Sequence, residues 1–206
     1  YSPVGVVSFP YLAAPDVGRT ESSNKYSVEL YIPKAEWAKN GGKECEAAVL
    51  KVAKEFFKNP EITLEDFTGS SPSYKGPFKD MDTDKKAHDY QKGCIRVRAK
   101  ASAEYPPTVI GPRKDPETGK FPVWGIEMVK AIKGGDYGRL IGSVYGYPQQ
   151  GGGIAIGMNF FQFAKEGKAI GQGKMAALKD LGEIEVDLDS PDDIRDTEDD
   201  PQLRFA

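Results

Sequence analysis

Apolar and polar positions alternate with period two along four stretches of the chain, the pattern of strands that turn one face to a core. In "KYSVELYIP", Tyr26, Val28, Leu30 and Ile32 alternate with Ser27, Glu29 and Tyr31. In "GCIRVRAKA", Ile95, Val97 and Ala99 alternate with Arg96, Arg98 and Lys100, which puts three cations on one face. "GRLIGSVYGYP" sets Ile141, Ser143, Tyr145 and Tyr147 against Leu140, Gly142, Val144 and Gly146. After the turn "PQQGGG", the segment "GIAIGMNFFQF" sets Ile154, Ile156, Met158 and Phe160 against Ala155, Gly157, Asn159 and Phe161, so the last two stretches read as a hairpin. A single bulge would invert the faces beyond it.

One helix interrupts this pattern. From Glu44 to Lys58 the apolar positions Val49, Val52, Ala53, Phe56 and Phe57 follow helical spacing, and Asn59-Pro60 supplies the stop. Gly- and Pro-rich segments such as "FTGSSPSYKGPF" and "YPPTVIGPRKDPETGKFP" mark long loops. Several strands, one good helix and long loops predict a mainly β protein, an OB-fold-like barrel with one long inserted helix.

Charge divides the chain in two. Residues 183–206 hold ten Asp or Glu against two Arg, net −8, which leaves residues 1–182 with 26 basic and 21 acidic residues, net +5. The total of −3 therefore hides a basic body and an acidic tail. Past Met175 the periodicity fades, and acids mixed with Pro, Ser and Thr bury too little apolar area to offset the entropy of ordering. The expected division is a domain over residues 1–182 and a flexible, disordered tail over 183–206.

Apolar runs fall short of the roughly 18–20 residues of a membrane span. The start, "YSPVGVVSFPYLAAPDVGR", lacks the basic and apolar regions of a secretory leader, so the cytoplasm is the expected compartment. With Tyr1 in place of Met, trimming of a few residues is an expectation. Cys45 and Cys94 lie far apart without CxxC spacing, and His88 is the sole histidine, so neither a zinc site nor a Cys-His device is read. No metal and no cofactor is expected. In "GKAIGQGKM", five residues rather than four separate Gly167 from Gly173-Lys174, and Met175 stands where a phosphate loop needs Ser or Thr. The GxGxxA match through Gly171, Gly173 and Ala176 lacks a βαβ setting. The acids Asp80, Asp82, Asp84 and Asp89 lack the Gly and Glu of a calcium loop and read as a solvated loop.

What remains is the basic strand beside aromatic strands. Binding of single-stranded nucleic acid needs cations that follow phosphates and aromatic faces on which bases stack. Arg96, Arg98 and Lys100 supply the first, Tyr145 and Tyr147 the second, and Arg139 and Phe160 join the expected set. Phe160, Phe161 and Phe163 also fit a core. A polyanionic tail on a flexible link reaches a high effective concentration at such a face, so it competes with nucleic acid, the acids standing in for phosphates. Asp192, Asp193, Asp196, Glu198, Asp199 and Asp200 carry that charge, and Phe205 is a candidate anchor. Two alternatives stay open: a structural, virion or assembly protein whose aromatic strands form a subunit interface, and a metal-dependent nuclease using the acids at 80–89.

The chain also resembles the bacteriophage single-stranded DNA-binding proteins with an OB-fold. The resemblance runs along most of residues 4–173, through "VGVVSFPYLAAPD", "KYSVELYIPK" with Lys34, "GCIRVRAK", "GDYGRLIGSVYGYP" with Tyr137, Gly138 and Arg139, and "GGGIAIGMNFFQFAKEGKAIG". It implies a protein without catalytic residues that coats single-stranded DNA, with weak sequence preference, during phage replication or recombination in the host cytoplasm. It further implies that the tail recruits replication proteins, a polymerase or a helicase-primase; whether the protein forms a homo-oligomer or a cooperative filament stays open. The tail departs from the family's pattern: Phe205 is followed by Ala206, and Arg204 interrupts the acids.

Overall fold

The alternating stretches pair into a closed ring. The structure is a computed structural model that describes residues 1–17, 24–69, 72–170, 184–192 and 194. Strand β1 (Gly5–Asp16) pairs antiparallel with β2 (Lys25–Pro33), and β2 pairs with β4 (Cys94–Ser102). The β4 strand runs parallel to β7 (Gly153–Lys165) through Ala99 with Ile156 and Lys100 with Gly157. Strand β7 then forms the expected hairpin with β6 (Tyr137–Tyr147), which returns to β1 at Gly5 and Val6. This circuit is that of the OB-fold, a five-stranded barrel. Two short strands extend the sheet, β3 (Phe78–Asp80) on β4 and β5 (Thr108–Ile110) on β7.

The inner positions read from the alternation fill the ring. Val28, Leu30, Ile32 and Val97 are wholly buried, and Leu140, Ile154 and Met158 nearly so. Burial of each such side chain is worth about 1.5–3 kcal/mol. Helix α2 (Gly42–Phe57) adds Val49 and Ala53 to the same core. It begins two residues before the expected start, and it ends where Lys58 takes a left-handed conformation (φ 51°) and the Asn59 N–H closes on the Lys54 carbonyl at 3.1 Å. Three further short helices, α1 (Lys34–Lys39), α3 (Glu65–Thr68) and α4 (Ile126–Ala131), were not read from the sequence.

A bulge interrupts the alternation in β7. Ile141 pairs with Phe160 but Gly142 pairs with Met158, so Asn159 has no partner across the hairpin. Beyond it the faces invert: Phe161 turns into the core, and Phe160 leaves the side shared by Ile154, Ile156 and Met158. A second, smaller cluster of Val6, Tyr31, Met81 and Cys94 sits on the outer side of β1, β2 and β4. Here the Gln91 side-chain amide donates to the Tyr31 hydroxyl at 2.7 Å.

The start of the acidic segment, residues 184–192, contacts the body. Asp187 pairs with Arg113, and the Asp189 carboxylate accepts the Lys114 N–H at 2.6 Å. The Arg139 guanidinium donates to the Asp189 carbonyl, Lys165 donates to the Glu185 carbonyl at 2.7 Å, and Ile194 is buried. Residues 193 and 195–206 lie outside the described residues.

Candidate nucleic-acid interface

Strand β4 carries the central row. Because Val97 and Ala99 point inward, Arg96, Arg98 and Lys100 stand on the outer wall at intervals of about 6.6 Å. Lys25 of β2, paired with Ser102, continues the row on the neighbouring strand. Lys100 is held below the usual lysine pKa, first by partial desolvation and then by the Arg98 and Lys25 cations. Glu29 lies under the two arginines, 3.8 Å from the Arg96 Nη1 and 3.6 Å from the Arg98 Nε, with only 9% of its surface exposed. Both contacts are loose, and the Arg96 Nε is buried without a hydrogen-bond partner among the described residues.

The registers bring aromatic side chains to the same wall. Lys100 pairs with Gly157, and Gly157 pairs with Ser143. Tyr145, 45% exposed, packs its ring over this strip: a Cβ added at Gly157 would sit 3.4 Å from the Tyr145 Cε1. Tyr147 lies over Gly153 in the same way, where an added Cβ would come within 2.5 Å of its hydroxyl. Gly153 thus leaves room that the Tyr147 ring occupies, while Gly157 lies within van der Waals reach of Tyr145. Burial raises the Tyr147 pKa, with a smaller contribution from Tyr145.

On the other flank the row reaches β1. Lys100 pairs with Ser27, and Ser27 with Tyr11, which is exposed. Phe9 stands beside it, 60% exposed. Phe9, Tyr11 and Lys25 escaped the sequence reading; the signal available was "SFPY", an apolar run whose proline breaks the alternation.

Two residues of the expected set are placed elsewhere. Arg139 is 9% exposed; its Nε donates to Gln162 at 2.7 Å, it reaches the Asp189 carbonyl, and it covers the Tyr1 ring at 4.8 Å. It fastens the docked segment 184–192 instead of joining the β4 row, and burial pulls its pKa down. Phe160, half-buried, lies between Ile141 of β6 and Thr108 of β5. Asp192 accepts a hydrogen bond from the Ser190 hydroxyl near Arg139. Asp193, Asp196, Glu198, Asp199, Asp200 and Phe205 lie outside the described residues.

Three acids of the 80–89 loop, Asp80, Asp82 and Asp84, are engaged. Lys34 bridges Asp80 and Asp82 at 2.7 Å each, and Lys79 pairs with Asp84 at 2.7 Å. These lysine hydrogen bonds, aided by the Gly93 and Lys86 N–H groups respectively, lower the Asp82 and Asp84 pKa values. Among the described residues no three His, Cys, Asp or Glu side chains gather as a metal site, and no helix is long and apolar enough to cross a membrane.

Ring, register and wall together define an OB-fold protein that presents cations and exposed aromatics on its β1–β2–β4 side. The chain belongs to the family of the ssDNA-binding protein of Enterobacter phage Enc34, whose model matches residues 6–193. Among solved structures it resembles the single-stranded DNA-binding protein from bacteriophage Enc34 in complex with ssDNA (TM-score 0.64, 18% identity, 82% of this chain and 87% of that one). It is similar to a second structure of the single-stranded DNA-binding protein from bacteriophage Enc34 (TM-score 0.62, 18% identity, 84% of each chain). At this identity the likeness is one of fold. Comparison with curated proteins gives no match.

Proposed function

We propose that the protein binds single-stranded DNA on the wall formed by β1, β2, β4 and the β6–β7 hairpin, in keeping with its membership of the family of the Enc34 ssDNA-binding protein. The observation that carries this reading is the register Tyr11–Ser27–Lys100–Gly157–Ser143, which runs exposed aromatic, small and cationic positions across one surface. Phosphates follow Arg96, Arg98, Lys100 and Lys25, while bases stack on Tyr145 and Tyr147. Stacking is open to every base, so sequence preference is weak. The role is coating without catalysis, in the replication or recombination of a phage genome in the host cytoplasm.

The acids beyond the docked segment compete with DNA for the cations and, when displaced, recruit replication proteins. The charge division supports the first half of this reading, since residues 183–206 carry net −8 and residues 1–182 net +5. The test is a Tyr145→Ala, Tyr147→Ala pair, assayed by fluorescence anisotropy on a labelled oligo(dT). A fall in affinity of tenfold or more is expected from stacking worth about 1–3 kcal/mol per base; unchanged affinity would overturn the stacking assignment.

A further inference from the structure

Phe9 is the least explained large side chain of the β1–β2–β4 wall. It is 60% exposed, so it contributes little to the core, and its φ of 48° lies in the left-handed region that bulky residues avoid. The register shows how this arises. Ser8 pairs with Glu29 and Tyr11 pairs with Ser27, so Phe9 and Pro10 together stand opposite Val28 alone. That is a β-bulge, and Pro10 brings no N–H to the ladder. Neither burial nor backbone preference selects a phenylalanine here, and glycine would relieve the conformation. Outliers of this kind gather where a side chain is re-aimed for a task.

The position says which task. Ser8 is level with Glu29 and hence with Arg98, while Tyr11 is level with Ser27 and Lys100. Phe9 therefore emerges from β1 between the levels of two cations, about two strand spacings, or roughly 10 Å, from their row. Ser27 between them is small and buried, so its side chain does not project between Phe9 and the cations. We propose that Phe9 is a base-stacking residue, pushed outward by the strained bulge so that a nucleotide whose phosphate sits at Arg98 or Lys100 lays its base across Ser27 onto the Phe9 ring. The ligand class is a nucleobase of a single strand, since a paired base has its faces stacked within the duplex. This inference rests on the single-stranded DNA reading and deepens it by assigning a second aromatic flank opposite Tyr145.

The test compares Phe9→Ala, Phe9→Gly and Phe9→Trp in the full chain with oligo(dT) and with an abasic strand of equal length. Phe9→Ala and Phe9→Gly are expected to weaken oligo(dT) binding by about tenfold, Phe9→Trp to retain it, and the penalty to vanish on the abasic strand. In thermal melts Phe9→Gly is expected to be more stable than Phe9→Ala, the reverse of the usual order within a strand. If wild type binds oligo(dT) and Phe9→Ala matches it within twofold, or the penalty persists on the abasic strand, the stacking role is overturned while the site stands. Failure of wild type itself to bind would overturn the site as well.

Discussion

Glu29 is the anion under the cation row, and its removal tests the electrostatics of the wall. The Glu29→Gln substitution keeps shape and an acceptor for the Tyr31 hydroxyl, which donates at 3.5 Å. A phosphate seated between Arg96 and Arg98 would lie about 6 Å from the carboxylate. Two unit charges at that separation repel by about 0.7 kcal/mol in bulk water and about 2.8 kcal/mol at an effective dielectric of 20. Screening at 0.1 M salt removes roughly half of this. Oligo(dT) should therefore bind roughly two- to tenfold more tightly to the variant. The cost in stability is small. The ion pairs removed span 3.6 and 3.8 Å, and the Arg98 side chain is 43% exposed, so together they are worth no more than about 1 kcal/mol, or about 2–4 °C in Tm. Anisotropy titration at low and high salt reads the first effect, with the gain shrinking as salt rises, and a thermal melt reads the second. Weaker binding with an unchanged melt would refute the reasoning, because Glu29 would then be holding the arginines in their binding geometry.

Four further outcomes follow from the same geometry. Arg98→Ala with Lys100→Ala should lower the slope of log affinity against log salt by about 0.7 for each phosphate that is no longer neutralised, measured in a salt series. Arg139→Ala should cost about 1.5–3 kcal/mol of stability through its buried hydrogen bonds while leaving oligo(dT) affinity near wild type, read by denaturant unfolding beside anisotropy. At alkaline pH, binding should take up protons, because a phosphate near Lys100 favours its charged form and raises a pKa held below that of an ordinary lysine. Calorimetry in buffers of different ionisation enthalpy checks this, and Lys100→Arg should abolish that uptake. The Cys94 thiol, pushed up to about 12 by burial, should resist a thiol reagent at pH 8 until the protein unfolds, as followed by absorbance of the released reagent.

The parts of the fold legible in the sequence were those in which one face of a long element meets the core. Strand β2 is an example: Val28, Leu30 and Ile32 are inward in both reading and structure. Strands β3 and β5, at three residues each, are too short for a period to register. The proposed site was half legible for a related reason. Arg96, Arg98 and Lys100 declare their face because Val97 and Ala99 alternate with them, and Tyr145 follows likewise on β6. Arg139 misleads because it too alternates outward, and what covers it is a segment some 50 residues later in the chain. Phe160 misleads because the unpaired Asn159 shifts the phase by one. Phe9 and Lys25 were passed over, since their significance lies mainly in registers between strands.

Capture of unpaired strands by charge and stacking together, as proposed for this wall, requires that it distinguish a single strand from a duplex. The most direct measurement is the affinity of the full chain for a labelled oligo(dT) and for a duplex of the same length across a salt series. Tight binding of the single strand that weakens linearly in log salt, with persistent preference over the duplex at high salt where stacking outlasts charge, is the predicted result. Equal affinity for both at every salt concentration, or none for either, would contradict it.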